Sequence, residues 1–211
     1  VPAIKKSIVE QGEMEGTTGS RDVELDHKLI LQAWACVIGE NQISYLSGPI
    51  TTGQRWVEAV ENGGDEKALS DVITQNSFAI RETARELRAK SPRLVLEPAS
   101  LNVVGWSQAD YLKLWTTLIE RHADEVLFMP GWAYSIGCAL EFERALDHEI
   151  STRTVEGAEL SRDAGLKSLG GAAANLLGRQ RGSALEALGH RISEVVERIG
   201  GQLASKRAAI A

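Results

Sequence analysis

The sequence predicts a doubly wound α/β domain of the flavodoxin-like type, with about five mainly parallel strands and extra helices at both ends. Three observations carry this. Short apolar or β-rich runs alternate with amphipathic stretches through the middle of the chain, the order that parallel strands joined by crossover helices produce. The runs Ile43–Ser47, Arg93–Glu97 and Val126–Met129 each stop at a Gly or a Pro. The 211 residues are 43% hydrophobic and 25% charged, a balance ordinary for one globular domain with a sizeable core.

Residues 1–22 mix charges with Gly12, Gly16, Gly19 and hydroxyl side chains, a composition that buries little and predicts an extended arm. From Val23 to Ile38 the positions Leu25, Leu29, Ala33 and Val37 recur at helical spacing, with Ile30 and Trp34 beside them, until Gly39 ends the run. This predicts a helix packed on the domain through that stripe. Residues 1–40 are thus an arm and a helix, 41–157 the α/β domain.

Ile43-Ser44-Tyr45-Leu46-Ser47 alternates and reads as the first strand, followed by Gly48-Pro49-Ile50-Thr51-Thr52-Gly53, which serves either as an anion-binding loop or as a plain turn. Gln54–Ser70 is longer than the usual connection and predicts a lid. Asp71–Lys90 is an amphipathic helix, with Val72, Ile80, Ala84 and Leu87 opposite a charged face. The second strand, Arg93–Glu97, leads into a loop, Asn102–Gln108, rich in candidate contact residues that include Trp106. Asp110–His122 is helical, with Tyr111, Leu114, Trp115, Leu118 and Ile119 inward.

A third strand, Val126–Met129, stops at Pro130-Gly131, and Ile136, Leu140 and Ala145 then follow at helical spacing. Ile150–Val155 is a weak edge-proximal strand. Residues 158–211 form a helical extension, Gly- and Ala-rich up to Gly182 and then periodic from Ala184 to Lys206 through Leu185, Leu188, Ile192, Val195, Ile199 and Leu203. That stripe must pack on the domain or on a second copy in a homo-oligomer.

A net charge of −6 and a pI of about 5.3 argue against a polynucleotide partner but leave room for a small anionic ligand. Cys36 and Cys138 read as reduced, buried residues, and the four histidines show no ligand spacing, so no metal or cofactor is expected. Lys5 and Lys6 precede no apolar segment, and no window approaches eighteen uninterrupted apolar residues. The expectation is a cytoplasmic protein without membrane contact.

The strand–loop–helix unit Asp124–Ala145 is the candidate site, because the carboxyl end of a parallel strand and the N-terminus of the next helix are where open α/β sheets bind ligands. Ser135 and Gly137 sit there. Glu141 follows, either as a dipole-compensating surface charge or as a functional carboxylate on a face whose neighbours Gly137, Cys138 and Ala145 are small. Glu143 points elsewhere, to solvent.

Tyr45-Leu46-Ser47-Gly48-Pro49 and Ser135-Ile136-Gly137-Cys138-Ala139-Leu140-Glu141 together resemble the nucleoside 2-deoxyribosyltransferase superfamily, most closely its nucleotide N-glycoside hydrolase branch. Pro130-Gly131-Trp132 resembles the uncharacterised bacterial proteins grouped with that branch, and the likeness covers Gln42–Val155. The resemblance implies a nucleoside or nucleotide ligand, with Glu141 as nucleophile and Tyr45 orienting it. It further implies that Ser47, Gly48, Thr51, Thr52, Gly53, Ser135 and Gly137 receive the 5′-phosphate or 5′-hydroxyl, and Trp132 is the favoured base-stacking residue. The reaction would be N-glycosidic hydrolysis or deoxyribosyl transfer. The family's second carboxylate aligns with Thr116, and Asp110 either replaces it or faces solvent. That departure leaves open a non-catalytic nucleotide-binding module coupled to oligomerisation or a partner. A structural reading also stands, with Tyr45 a core aromatic, Ser135 a helix cap and the tryptophans packing residues.

Overall fold

A computed structural model of the chain describes residues 22–179 and 183–210, with side chains to residue 201. The expected N-terminal arm lies outside the described residues apart from Asp22. Among the described residues, four parallel strands form one sheet: β1 Ile43–Ser47, β2 Leu94–Leu96, β3 Glu125–Phe128 and β4 Ser151–Thr154, in the order β2-β1-β3-β4. The chain leaves β1 to one side for β2 and returns across it to β3. The topological switch point, the crevice where such sheets bind ligands, therefore lies between the carboxyl ends of β1 and β3. The sheet has four strands rather than about five, and the weak run at 150–155 is its edge strand β4.

Side-chain alternation along β1 decides what each face holds. Tyr45 joins Val126 and Phe128 on the larger core, while Leu46 joins Val95 and Leu127 on the other face. Helix α3, Glu66–Lys90, covers the second face through Ile80 and Ala84. On the first face lie α4, Gln108–His122, and α5, Ile136–Asp147, with Leu114, Leu118, Ala139 and Phe142 fully buried. Polar side chains help fix the strand register: Ser44 Oγ donates to Glu125 Oε1 at 2.5 Å, and Ile43 N to Asp124 Oδ2 at 2.6 Å.

Three expectations change. The stretch expected to be a lid forms α2, Gln54–Glu61, which buries Val57; Gly53 precedes it at φ 104°, and α3 starts early because Asp65 caps it by accepting from Ala68 N. Helix α1, Val23–Ile38, has the expected bounds but the opposite face inward. His27, Ile30, Trp34 and Ile38 pack, with Trp34 stacked on Trp115, while Leu25, Leu29 and Val37 are 50%, 54% and 65% exposed. Aromatic area outweighed the leucine spacing. Cys36, on that outer side, is exposed rather than buried, whereas Cys138 is buried as expected.

The Gly/Ala-rich stretch contains a helix, α6, Arg162–Leu177, capped by Ser161. Its Gly165 lies against the Phe142 ring, in space that a Cβ would occupy, so here glycine is a packing residue. Helix α7, Ala184–Ile210, returns along α6, and Leu185, Leu188, Ile192, Val195 and Ile199 are buried in the same core as Phe142 and Trp132. From Leu185 to Ile199 the stripe is therefore covered within the chain. No helix among the described residues is long and apolar enough to cross a membrane.

Candidate active site

Tyr45 and Ser47, two residues apart on β1, project from one face at the carboxyl end of the strand, both fully buried. Opposite them, Ser135 caps α5, and one and a half turns later Glu141 turns inward. The Tyr45 hydroxyl donates to Glu141 Oε1 at 2.7 Å and the Ser47 hydroxyl to Oε2 at 2.6 Å. Glu141 is only 6% exposed, and no cation among the described residues pairs with it. Burial pushes its carboxyl up from 4.5 to about 7, against the pull of the Ser47 and Tyr45 hydrogen bonds, which favour the charged form. Burial and the neighbouring carboxylate hold the Tyr45 phenol well above its ordinary value, so it remains a donor. The adjacent Cys138 thiol is pushed up to about 12, chiefly by burial, and is not a thiolate nucleophile.

Glu141 borders a cavity of about 730 Å³. Gly48 and Thr51 from the β1 loop, Ser135 and Gly137 from the start of α5, and Trp115 and Gln108 from α4 share its wall. Gly48 has no room for a side chain, since a Cβ there would sit 2.7 Å from Ile80 and 2.8 Å from the Met129 sulfur. The β1 loop is held rigidly. Asn76 of α3, 4% exposed, donates through Nδ2 to the Ile50 and Thr52 carbonyls at 3.1 and 3.4 Å, and Thr52 Oγ1 donates to Ser135 Oγ at 3.2 Å.

The expected site residues divide accordingly. Glu141, Gly48, Thr51, Ser135 and Gly137 line the cavity, and Tyr45 and Ser47 reach it through Glu141. Ser47, expected to receive a phosphate, instead spends its proton on the carboxylate. Thr52 ties the loop to Ser135, and Gly53 donates its N–H to the Tyr134 carbonyl at 3.0 Å; neither lines the cavity. Trp132 packs between Phe128 and Phe142, at ring-centroid distances of 4.8 and 5.1 Å, and is a core residue. Of the three candidate tryptophans, Trp115 is the one on the cavity wall, because Trp106 packs edge-on to His27 and Tyr111.

Asp110 does not join the site either. Its Oδ2 accepts from the Ser107 N–H and hydroxyl, both at 2.7 Å, completing a capping box at the start of α4. Those bonds hold its carboxyl below the ordinary value. Thr116 donates to the Leu112 carbonyl of its own helix at 2.7 Å and lies outside the cavity. Among the described residues Glu141 is therefore the one carboxylate that lines the cavity. No protein-family model, curated protein or solved structure matches this chain.

Several contributors escaped the sequence reading. Asn76 is an ordinary polar residue inside an amphipathic helix, and only its burial against the β1 loop marks it. Tyr111, expected to be a core residue, lines the cavity and clasps the preceding loop, its hydroxyl accepting from Val103 N at 2.6 Å and donating to Val103 O at 3.1 Å. Arg191, on α7, reaches the cavity from 50 residues beyond Glu141 in sequence, and periodicity alone could not place it there.

Proposed function

We propose that the cavity binds a nucleoside or nucleotide and cleaves its N-glycosidic bond, by hydrolysis or by transfer of the sugar to another base. One observation carries this: a buried carboxylate, held by two hydroxyl donors and no cation, opens onto a cavity of nucleotide size at the switch point of the sheet. Breaking an N-glycosidic bond builds positive charge at the anomeric carbon, and a desolvated carboxylate beneath that carbon is worth most in the transition state. In the covalent route a Glu141 oxygen bonds to the anomeric carbon as the carbon–nitrogen bond breaks. The bonding pair leaves on the base nitrogen, which takes a proton from solvent water, and water or a second base, giving its proton back to solvent, then displaces Glu141. Tyr45 and Ser47 orient the carboxylate without neutralising it. Trp115 adds apolar wall beside the base, and Asn102 and Gln108 offer amide groups to its edge.

A second reading, binding without cleavage, is favoured by one observation: among the described residues no other carboxylate lines the cavity to protonate the leaving base. Incubation with a panel of ribo- and deoxyribonucleosides and their 5′-monophosphates, followed by chromatography for free base, separates the two. Base release supports the glycosidase. Ligand-dependent thermal stabilisation without release supports the binding module, and neither effect would remove both readings.

A further inference from the structure

Arg191 stands apart from everything the β1 loop and α5 contribute. It belongs to the C-terminal extension, yet it is the one basic side chain among the described residues that line the Glu141 cavity. It is exposed, and it makes no ion pair or hydrogen bond among the described residues. Its neighbour on the same helix, Arg198, is committed to Glu143 of α5 by two bonds of 2.7 and 2.8 Å. Seven residues back along each helix, about two turns, Arg191 and Ile136 line the cavity together. The two helices therefore run parallel there, and the Glu143–Arg198 pair sets their register. Arg191 thereby lies toward the N-terminal end of α5, where Ser135 and Gly137 also line the cavity.

Between Ile136 and Glu141 the helix rises roughly 7.5 Å at about 1.5 Å per residue, a span on the scale of a pentose together with its 5′-phosphate. The two ends of that span differ in charge: a carboxylate at the inner end, a guanidinium at the outer. Ser47, the β1 hydroxyl expected to receive a phosphate, is already bound to Glu141. We propose that Arg191 is the specificity-determining residue of the cavity, binding the phosphomonoester of a sugar-phosphate ligand and selecting a 5′-nucleotide over the nucleoside. This rests on the nucleotide reading above. Arginine suits the role because its planar fork bonds two phosphate oxygens at once and keeps its charge throughout the neutral range.

The test is calorimetric titration of wild type, Arg191→Gln and Arg191→Lys with nucleoside 5′-monophosphates, the matching nucleosides, ribose 5-phosphate and inorganic phosphate, with free base assayed alongside. Because Arg191 is exposed and packs no core, both variants should melt as wild type does. Arg191→Gln is expected to lower the nucleotide-to-nucleoside affinity ratio by at least about tenfold, as loss of one charge-assisted contact would. Arg191→Lys should restore part of the ratio, which a merely structural role would not predict. If ribose 5-phosphate binds through Arg191 while no nucleotide is bound or cleaved, the phosphate site stands and the N-glycoside reading falls. If nucleosides are cleaved and the 5′-phosphate earns no preference, or if Arg191→Gln keeps the wild-type ratio, the assignment of Arg191 is overturned while the glycosidase reading survives. Absence of binding by every phosphate-bearing probe would overturn it as well.

Discussion

Helix α5 borders two adjoining hollows and sends Glu141 to one and Glu143 to the other. Glu141 borders the larger cavity and Glu143 a groove of about 420 Å³ lined also by Thr116, Arg144, Asp147 and Arg198. The two residues are the same chemically and lie on one stable helix, so their difference comes from their partners. Glu143, expected to face solvent, meets the Arg198 guanidinium in a two-pronged ion pair that fastens α7 to the sheet layer. Glu141 meets only hydroxyls. An arginine satisfies a carboxylate and removes its reactivity; two hydroxyls satisfy its lone pairs while leaving a full charge to be expressed toward the cavity. The first arrangement builds the fold, and the second stores electrostatic energy in it.

The sharpest way to break this contrast is to neutralise each residue in turn. Glu141→Gln should leave the fold and most ligand affinity intact, because the amide has the same shape, and should cut base release by at least about a hundredfold. The same substitution should stabilise the protein at alkaline pH. Glu141 binds its proton near 7 when folded, against an ordinary 4.5, so the folded state holds more protons between those values and stability falls as pH rises through them. Above pH 7 the ionised carboxylate then costs up to roughly 3 kcal/mol, and Glu141→Gln should recover much of it, whereas below pH 4.5 the two proteins should melt alike. Thermal melts across pH 4–9 check this.

Smaller effects sharpen the comparison. Ser47→Ala and Tyr45→Phe each remove a donor that favours the charged carboxylate, so each should move the acid limb of the kcat/KM profile to higher pH, Ser47→Ala further. Each should also cost roughly tenfold in rate above the limb, in line with one lost hydrogen bond to a charged group. Glu143→Gln should leave the rate unchanged and lower stability by no more than about 1 kcal/mol, because Arg198 is half-exposed and the pair is partly screened by water. A large rate loss from Glu143→Gln would show that the groove and the cavity work as one site.

The sheet was legible because β1, β2 and β3 fall in short apolar or β-rich runs closed by Gly or Pro, and the Glu141 motif because strand end, cap and carboxylate follow one another within a few residues. What failed depended on distant contacts. The stripe Leu25–Leu29–Val37 has faultless helical spacing, yet the helix turned its histidine and tryptophan inward, because Trp115 and Trp106 were waiting there. Trp132 has the loop position of a ligand contact but faces Phe142. Asp110 carries the right charge near the right place, but Ser107 three residues earlier claims it as a capping partner, a pattern that was present in the sequence. Periodicity marks the extension as helical but not where it docks, whereas the Gly165–Phe142 contact and the Glu143–Arg198 pair bring α6 and α7 onto α5 and Arg191 toward its N-terminal end.

The measurement that bears most directly on the account is a carboxyl-carbon NMR titration of glutamate-labelled protein, with the Glu141 signal assigned by its absence from Glu141→Gln. The poised, desolvated carboxylate described here should titrate near pH 7, and Ser47→Ala should move it higher. A Glu141 signal that titrates near 4.5, unmoved by Ser47→Ala, would mean that the carboxylate is solvated and unconnected to the strand hydroxyls, and the site built on it would not exist.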